Sequence, residues 1–117
     1  MGEWNQRRSP RFAPNRPLRA RFLVQGQEVE VEVNSLSSGG VGAWVEDRFA
    51  FLFDPGAQLN QLSFDDPLLP PPPSEATIAF STLAGQSARD GFILFGAEFH
   101  STDAEFLHAM AEWMANH

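Results

Sequence analysis

A chain of 117 residues, 43% hydrophobic and 20% charged, has the size and composition of one soluble globular domain and is too short for two cores. It contains no cysteine, which excludes disulfides, thiolate–metal sites and a cysteine nucleophile. It also has no apolar run near the roughly 20 residues needed to span a bilayer. The net charge of −7 is unevenly distributed: lysine is absent, six of the eight basic residues are arginines within 7–21, and the rest of the chain is strongly acidic. An acidic body repels long nucleic acid, whose binding needs many phosphate contacts, whereas a basic arm attracts a small dianion within a Debye length of about 8–10 Å. The expectation is a cytoplasmic protein with a small anionic ligand, no nucleic-acid partner and no membrane insertion.

Residues 1–17 hold three prolines and little apolar periodicity, and read as an extended arginine-rich arm. From Leu18 the pattern alternates. Leu18, Ala20, Phe22 and Val24 share one face of a strand, and Val29, Val31 and Val33 share one face of the next. The connection Gln25-Gly26 predicts a two-residue hairpin turn. The register then pairs Phe22 with Val29, Ala20 with Val31 and Leu18 with Val33, and on the other face Arg21 with Glu30 and Arg19 with Glu32. These cross-strand charge pairs occupy Arg19 and Arg21 with the sheet, leaving Arg7, Arg8, Arg11 and Arg16 for a ligand.

Ser35-Leu36-Ser37-Ser38-Gly39-Gly40 reads as a small-residue turn, and Gly40 to Val45 as a third strand. The apolar run Phe49 to Phe53 ends at the turn signal Asp54-Pro55-Gly56, and Leu59 through Phe64 supplies a weakly patterned fourth strand. Pro70 to Pro73 form a stiff polyproline connection, best read as a rigid loop between strands. Thr77 to Phe80 and Gly91 to Phe99 complete the strands. The period then changes: Thr102 and Glu105 fit a capping box, and Phe106, Leu107, Met110, Trp113 and Met114 recur at helical spacing. The predicted fold is mostly β, a small six-stranded antiparallel barrel over 18–117 with a C-terminal helix at about 102–115.

Enzyme readings find little support, and the expectation is a protein without catalytic residues, metal or cofactor. His100, His108 and His117 cluster at the C-terminal end; His108 and Glu112 lie one helical turn apart, but two ligands do not make a metal site. Asp65-Asp66 reads as a solvated loop. No nucleophile elbow, P-loop or dinucleotide fingerprint occurs. The arm is more informative. Arginine guanidinium groups stay charged and can grip phosphate and guanine edges bidentately, while a Ser/Gly turn offers hydroxyls and backbone N–H groups to an anion.

In the order and placement of these two clusters around the first hairpin, the sequence resembles the PilZ domain family, bacterial receptors for cyclic di-GMP. Arg7-Arg8-Ser9-Pro10-Arg11 matches the family's Arg-x-x-x-Arg, with Arg8 as an additional arginine. Ser37 and Gly40 match its Asp/Asn-x-Ser-x-x-Gly, and Gly91 to Phe99 with the helix resembles its closing strand and terminal helix. The resemblance implies a ligand site of Arg7, Arg8, Arg11, Ser35, Ser37 and Gly40. In it the arginines hold guanine and phosphate, Ser37 bonds phosphate or base, and Gly40 allows close backbone approach. It further implies a stand-alone receptor that relays cyclic di-GMP to a protein partner as the arm closes on the barrel. The alternative is a PilZ-like protein-interaction scaffold that no longer binds the nucleotide.

One departure is chemically specific. The family's Asp/Asn position is Ser35 here, with Asn34 one residue earlier. A serine hydroxyl cannot make a carboxylate's two acceptor contacts, and losing a bidentate base contact costs about 1–3 kcal/mol. In a regular strand Asn34 points away from Ser35; only a local bulge would let Asn34 serve in its place.

Overall fold

The alternation that begins at Leu18 is realised as a hairpin of β1 (Arg19–Val24) and β2 (Gln27–Ser37). The computed structural model describes residues 13, 17–37, 39–66, 69, 75–83, 85–100 and 104–115. The expected register holds throughout: Val24 faces Gln27, Phe22 faces Val29, Ala20 faces Val31, and the Val33 amide donates to the Leu18 carbonyl at 2.7 Å. Gln25 and Gly26 both have positive φ, 50° and 79°, the turn geometry whose twist matches the flanking strands.

The charge pairs differ from expectation. Arg19 faces Glu32 and Arg21 faces Glu30, but the ion pair runs diagonally, from Arg19 to Glu30 at 3.8 Å. Glu32 instead receives Arg89, 57 residues away, at 3.0 Å. Strand twist carries facing side chains apart and diagonal ones together, so long side chains need not meet their Cα partner.

Four more strands follow: β3 (Gly40–Glu46), β4 (Gln58–Phe64), β5 (Ala76–Ser81) and β6 (Phe92–Phe99). All pair antiparallel in the order β1-β2-β3-β6-β5-β4, and β4 returns to β1 to close the barrel. Three register shifts bend it: between Val33 and Ser35 in β2, opposite Arg21 to Leu23 of β1 in β4, and between Ile78 and Phe80 in β5. In β4 the irregularity includes Gln61 at φ 57°. Such extra residues increase local twist and let six strands curl into a closed sheet.

The inward residues form one core, with Phe22, Phe53 and Phe95 at its centre; the Phe53 and Phe95 rings lie 4.7 Å apart. Phe22 meets both edge-on, at 5.9 and 6.2 Å. Phe53 arrives there because a 3₁₀ helix, Asp47–Leu52, carries most of the apolar run from β3 to Phe53 and buries Leu52.

The C-terminal helix α1 spans Ala104–Ala115, close to the expected 102–115; the capping residue Thr102 lies outside the described residues, as do Pro70 to Pro73. Phe106, Met110 and Trp113, spaced by four and three residues, join the barrel core, and the Phe106 ring meets Phe99 edge-on at 5.8 Å. Where β6 ends, His100 bonds the Thr77 hydroxyl and pairs through Nδ1 with Glu75 at 3.3 Å, tying the starts of β5 and of the helix connection together. No described helix is long and apolar enough to cross a membrane.

Candidate functional site

The β2–β3 connection carries the first group of expected site residues. Along β2, Val29, Val31 and Val33 point into the core. Val33 then faces Ala43 while Ser35 faces Gly42, so two β2 residues span one β3 step. This extra residue reverses the inward parity: Asn34 is exposed, Ser35 half-buried, and Leu36 returns to the core with no exposure. Asn34 and Ser35 are therefore consecutive residues on the outside of the barrel. The bulge that would let Asn34 stand in at the Ser35 position is present.

Ser37 ends β2 and is fully buried. Its hydroxyl accepts the Gly39 amide at 3.2 Å and reaches the Gly40 carbonyl at 3.5 Å, a side-chain bridge that shapes the tight turn. Gly40 allows a close approach, and the approaching group is in β6: a Cβ at this position would run into the Ala97 carbonyl oxygen. The Phe99 amide donates to the Gly39 carbonyl at 3.0 Å and holds the turn against that strand.

The ladders arrange the outer face in rows across the strands. Ser37, Gly40, Glu98 and Thr77 form one row; Ser35, Gly42, Gly96 and Phe80 form the next. The third runs Glu32, Trp44, Leu94. The middle row lacks large side chains over β2, β3 and β6, leaving backbone between Trp44 on one side and Glu98 on the other. Just beyond the third row the Arg89 guanidinium sits 4.0 Å from the ring of Phe92, which pairs with Glu46, and 5.9 Å from that of Trp44. Sequence reasoning missed Trp44 and Arg89. Alternation already put Trp44 opposite the buried Val41, Ala43 and Val45, but which strand lies beside it depends on the β3–β6 pairing.

Of the expected ligand residues, Ser35, Ser37 and Gly40 are thus brought to adjoining ends of β2 and β3. Arg7, Arg8 and Arg11 lie outside the described residues, as does Arg16. Arg19 and Arg21 line a separate shallow groove with Glu30, Ser63 and Asp65, where Asp65 accepts the Arg19 amide at 3.1 Å. That bond places Asp65 at the end of the β1–β4 ladder. His108 and Glu112 pair at 3.7 Å on the exposed face of α1. Among the described residues no three histidine or carboxylate groups converge on a common point.

No protein-family model matches the sequence, and no curated protein matches it significantly. Solved structures do. The PilZ domain of Escherichia coli YcgR, determined with c-di-GMP, superposes with a TM-score of 0.73 at 15% identity, covering 95% of this chain and 90% of that one. The MrkH–c-di-GMP complex from K. pneumonia gives 0.75 at 11% identity, covering 95% of this chain and 51% of MrkH. The Bacillus subtilis inhibitor of motility MotI/DgrA gives 0.68 at 17% identity, covering 95% and 50%. The chain thus spans nearly all of the isolated YcgR domain and about half the length of MrkH and MotI. With six antiparallel strands closed in the order β1-β2-β3-β6-β5-β4 and a helix after the last, this chain has the fold of a PilZ domain.

Proposed function

We propose that this chain is a PilZ-type receptor that binds cyclic di-GMP on the outer face of β2, β3 and β6 and relays binding to a protein partner. The observation that carries the reading is the bulge at Asn34. It sets an amide and a hydroxyl side by side at the strand end where the resemblance calls for an Asp or Asn. Arg7, Arg8 and Arg11 supply the guanidinium groups for guanine and phosphate, and Ser35 and Asn34 share the polar contacts of the missing acid. Hydrogen bonds involving charged groups contribute about 1.5–3 kcal/mol each, so three or four suffice for micromolar affinity after the ordering cost. Closure of the arm over the barrel then changes the surface offered to the partner.

A second reading, a PilZ-like scaffold that acts through protein contacts alone, is favoured by one observation. The Ser37 hydroxyl is buried and engaged within its own turn. Calorimetric titration with cyclic di-GMP, with GMP as the control, separates the two. Saturable micromolar binding that GMP does not reproduce supports the receptor; folded protein that gives no heat at high ligand concentration leaves the scaffold.

A further inference from the structure

We propose that Arg89 reads a guanine edge of the bound dinucleotide and so sets guanine-over-adenine selectivity, an assignment that rests on the receptor reading above. Arg89 lies in the β5–β6 connection, far in sequence from both clusters that suggested the site. It is unusually well fixed for an arginine on a surface connection. Its backbone is held on both sides: the Ser87 hydroxyl accepts the Arg89 amide at 3.3 Å and shares its one proton between the Phe92 and Arg89 carbonyls at 2.5 and 2.8 Å, and the Phe92 amide donates to the Arg89 carbonyl at 3.1 Å. The side chain then runs over the Phe92 ring and toward Trp44, and its Nη1 donates to Glu32 at 3.0 Å.

This arrangement removes rotamer freedom before any ligand arrives, and it uses only one donor. A guanidinium has five N–H donors in a planar fork, and the Arg89 side chain remains 39% exposed. Among the described residues its other contacts are the rings of Phe92 and Trp44, which take none of its N–H donors in the plane of the fork. The fork lies over Phe92, which pairs with Glu46 one row beyond Trp44 and Leu94, and it reaches back to Glu32 of the row that adjoins the Ser35 row on the same outer face. Glu32 and Ser35 are three residues apart on β2, at most about 10 Å by strand rise. A ligand with two purines and two phosphates, anchored at Ser35, can reach that far.

The chemistry selects guanine. O6 and N7 of guanine are two acceptors spaced to meet the fork, whereas adenine presents a donor amino group beside N7 and cannot accept both bonds. Glu32 offsets the formal charge of Arg89, so its value to the site lies in directed donors more than in net attraction. The Phe92 ring, 4.0 Å from the guanidinium, with Trp44 farther off at 5.9 Å, gives the intrinsically planar fork an aromatic support.

The test is to measure the affinities of wild type, Arg89→Gln and Arg89→Lys for cyclic di-GMP and cyclic di-AMP by calorimetry, with thermal unfolding as the check on folding. Arg89→Gln is expected to weaken cyclic di-GMP at least about fivefold and leave cyclic di-AMP unchanged, collapsing the selectivity ratio. Arg89→Lys keeps the charge without the fork and is expected to behave like Gln. A selectivity ratio unchanged in both folded variants, or full rescue by Lys, overturns the assignment and leaves the receptor reading standing. A wild-type protein that binds neither nucleotide overturns the receptor reading and this assignment with it.

Discussion

Gly40 in β3 stands so close to the carbonyl oxygen of Ala97 in β6 that any side chain at residue 40 would overlap it. The glycine that completes the Ser-x-x-Gly match therefore has a role in the barrel itself, where β3 and β6 pair along seven residues. Gly40→Ala should destabilise the ligand-free protein by about 1–3 kcal/mol, the usual cost of overpacking. A urea midpoint unchanged by the substitution would show that the strands yield and would return the glycine to the ligand alone.

Asn34 is exposed at the bulge, with its side chain outside the core. Asn34→Ala should leave the unfolding midpoint nearly unchanged, since exposed surface substitutions usually shift stability by no more than about 0.5 kcal/mol. The same variant should weaken cyclic di-GMP by roughly one decade, the scale of a lost base contact. Equal affinity for wild type and variant would assign the whole polar contact to Ser35.

Arg11 lies outside the described residues, ahead of every described strand of the barrel in sequence, in the segment expected to form the arm. Arg11→Ala should abolish cyclic di-GMP binding and leave thermal unfolding of the ligand-free protein almost unaltered. A folded variant that keeps wild-type affinity would remove the arm-closure mechanism.

The β1–β2 turn places Gln25 at φ 50°, a left-handed conformation that a glutamine side chain disfavours and asparagine tolerates better. Gln25→Asn should stabilise the protein by about 0.5–1 kcal/mol, seen as a higher thermal midpoint without change in ligand affinity. A lower midpoint would mean that the glutamine side chain makes a compensating contact.

Much of the fold was legible because its signals are local. Alternation from Leu18 to Val33 fixed both the first hairpin and its register, since a one-residue slip would turn every valine outward. The period change after Phe99 likewise marked the helix whose Phe106, Met110 and Trp113 reach the core. The ion pairs were not legible in the same way. Arg19 and Glu32 face each other, yet Glu32 belongs to Arg89, because twist and long side chains decide such contacts after the strands are placed.

Composition, periodicity and turn chemistry thus determined that this chain is a small barrel with a terminal helix, and where its Ser/Gly turn lies. Only the tertiary structure decided that β3 lies beside β6, that Gly40 packs on Ala97, that Asn34 shares the outer face with Ser35, that Trp44 lies on the adjoining row, and that Arg89 pairs with Glu32. Side-chain alternation is written residue by residue along one strand. The pairing of distant strands and the position of a bulge depend on closing the whole sheet around a shared core, and no single segment carries that information.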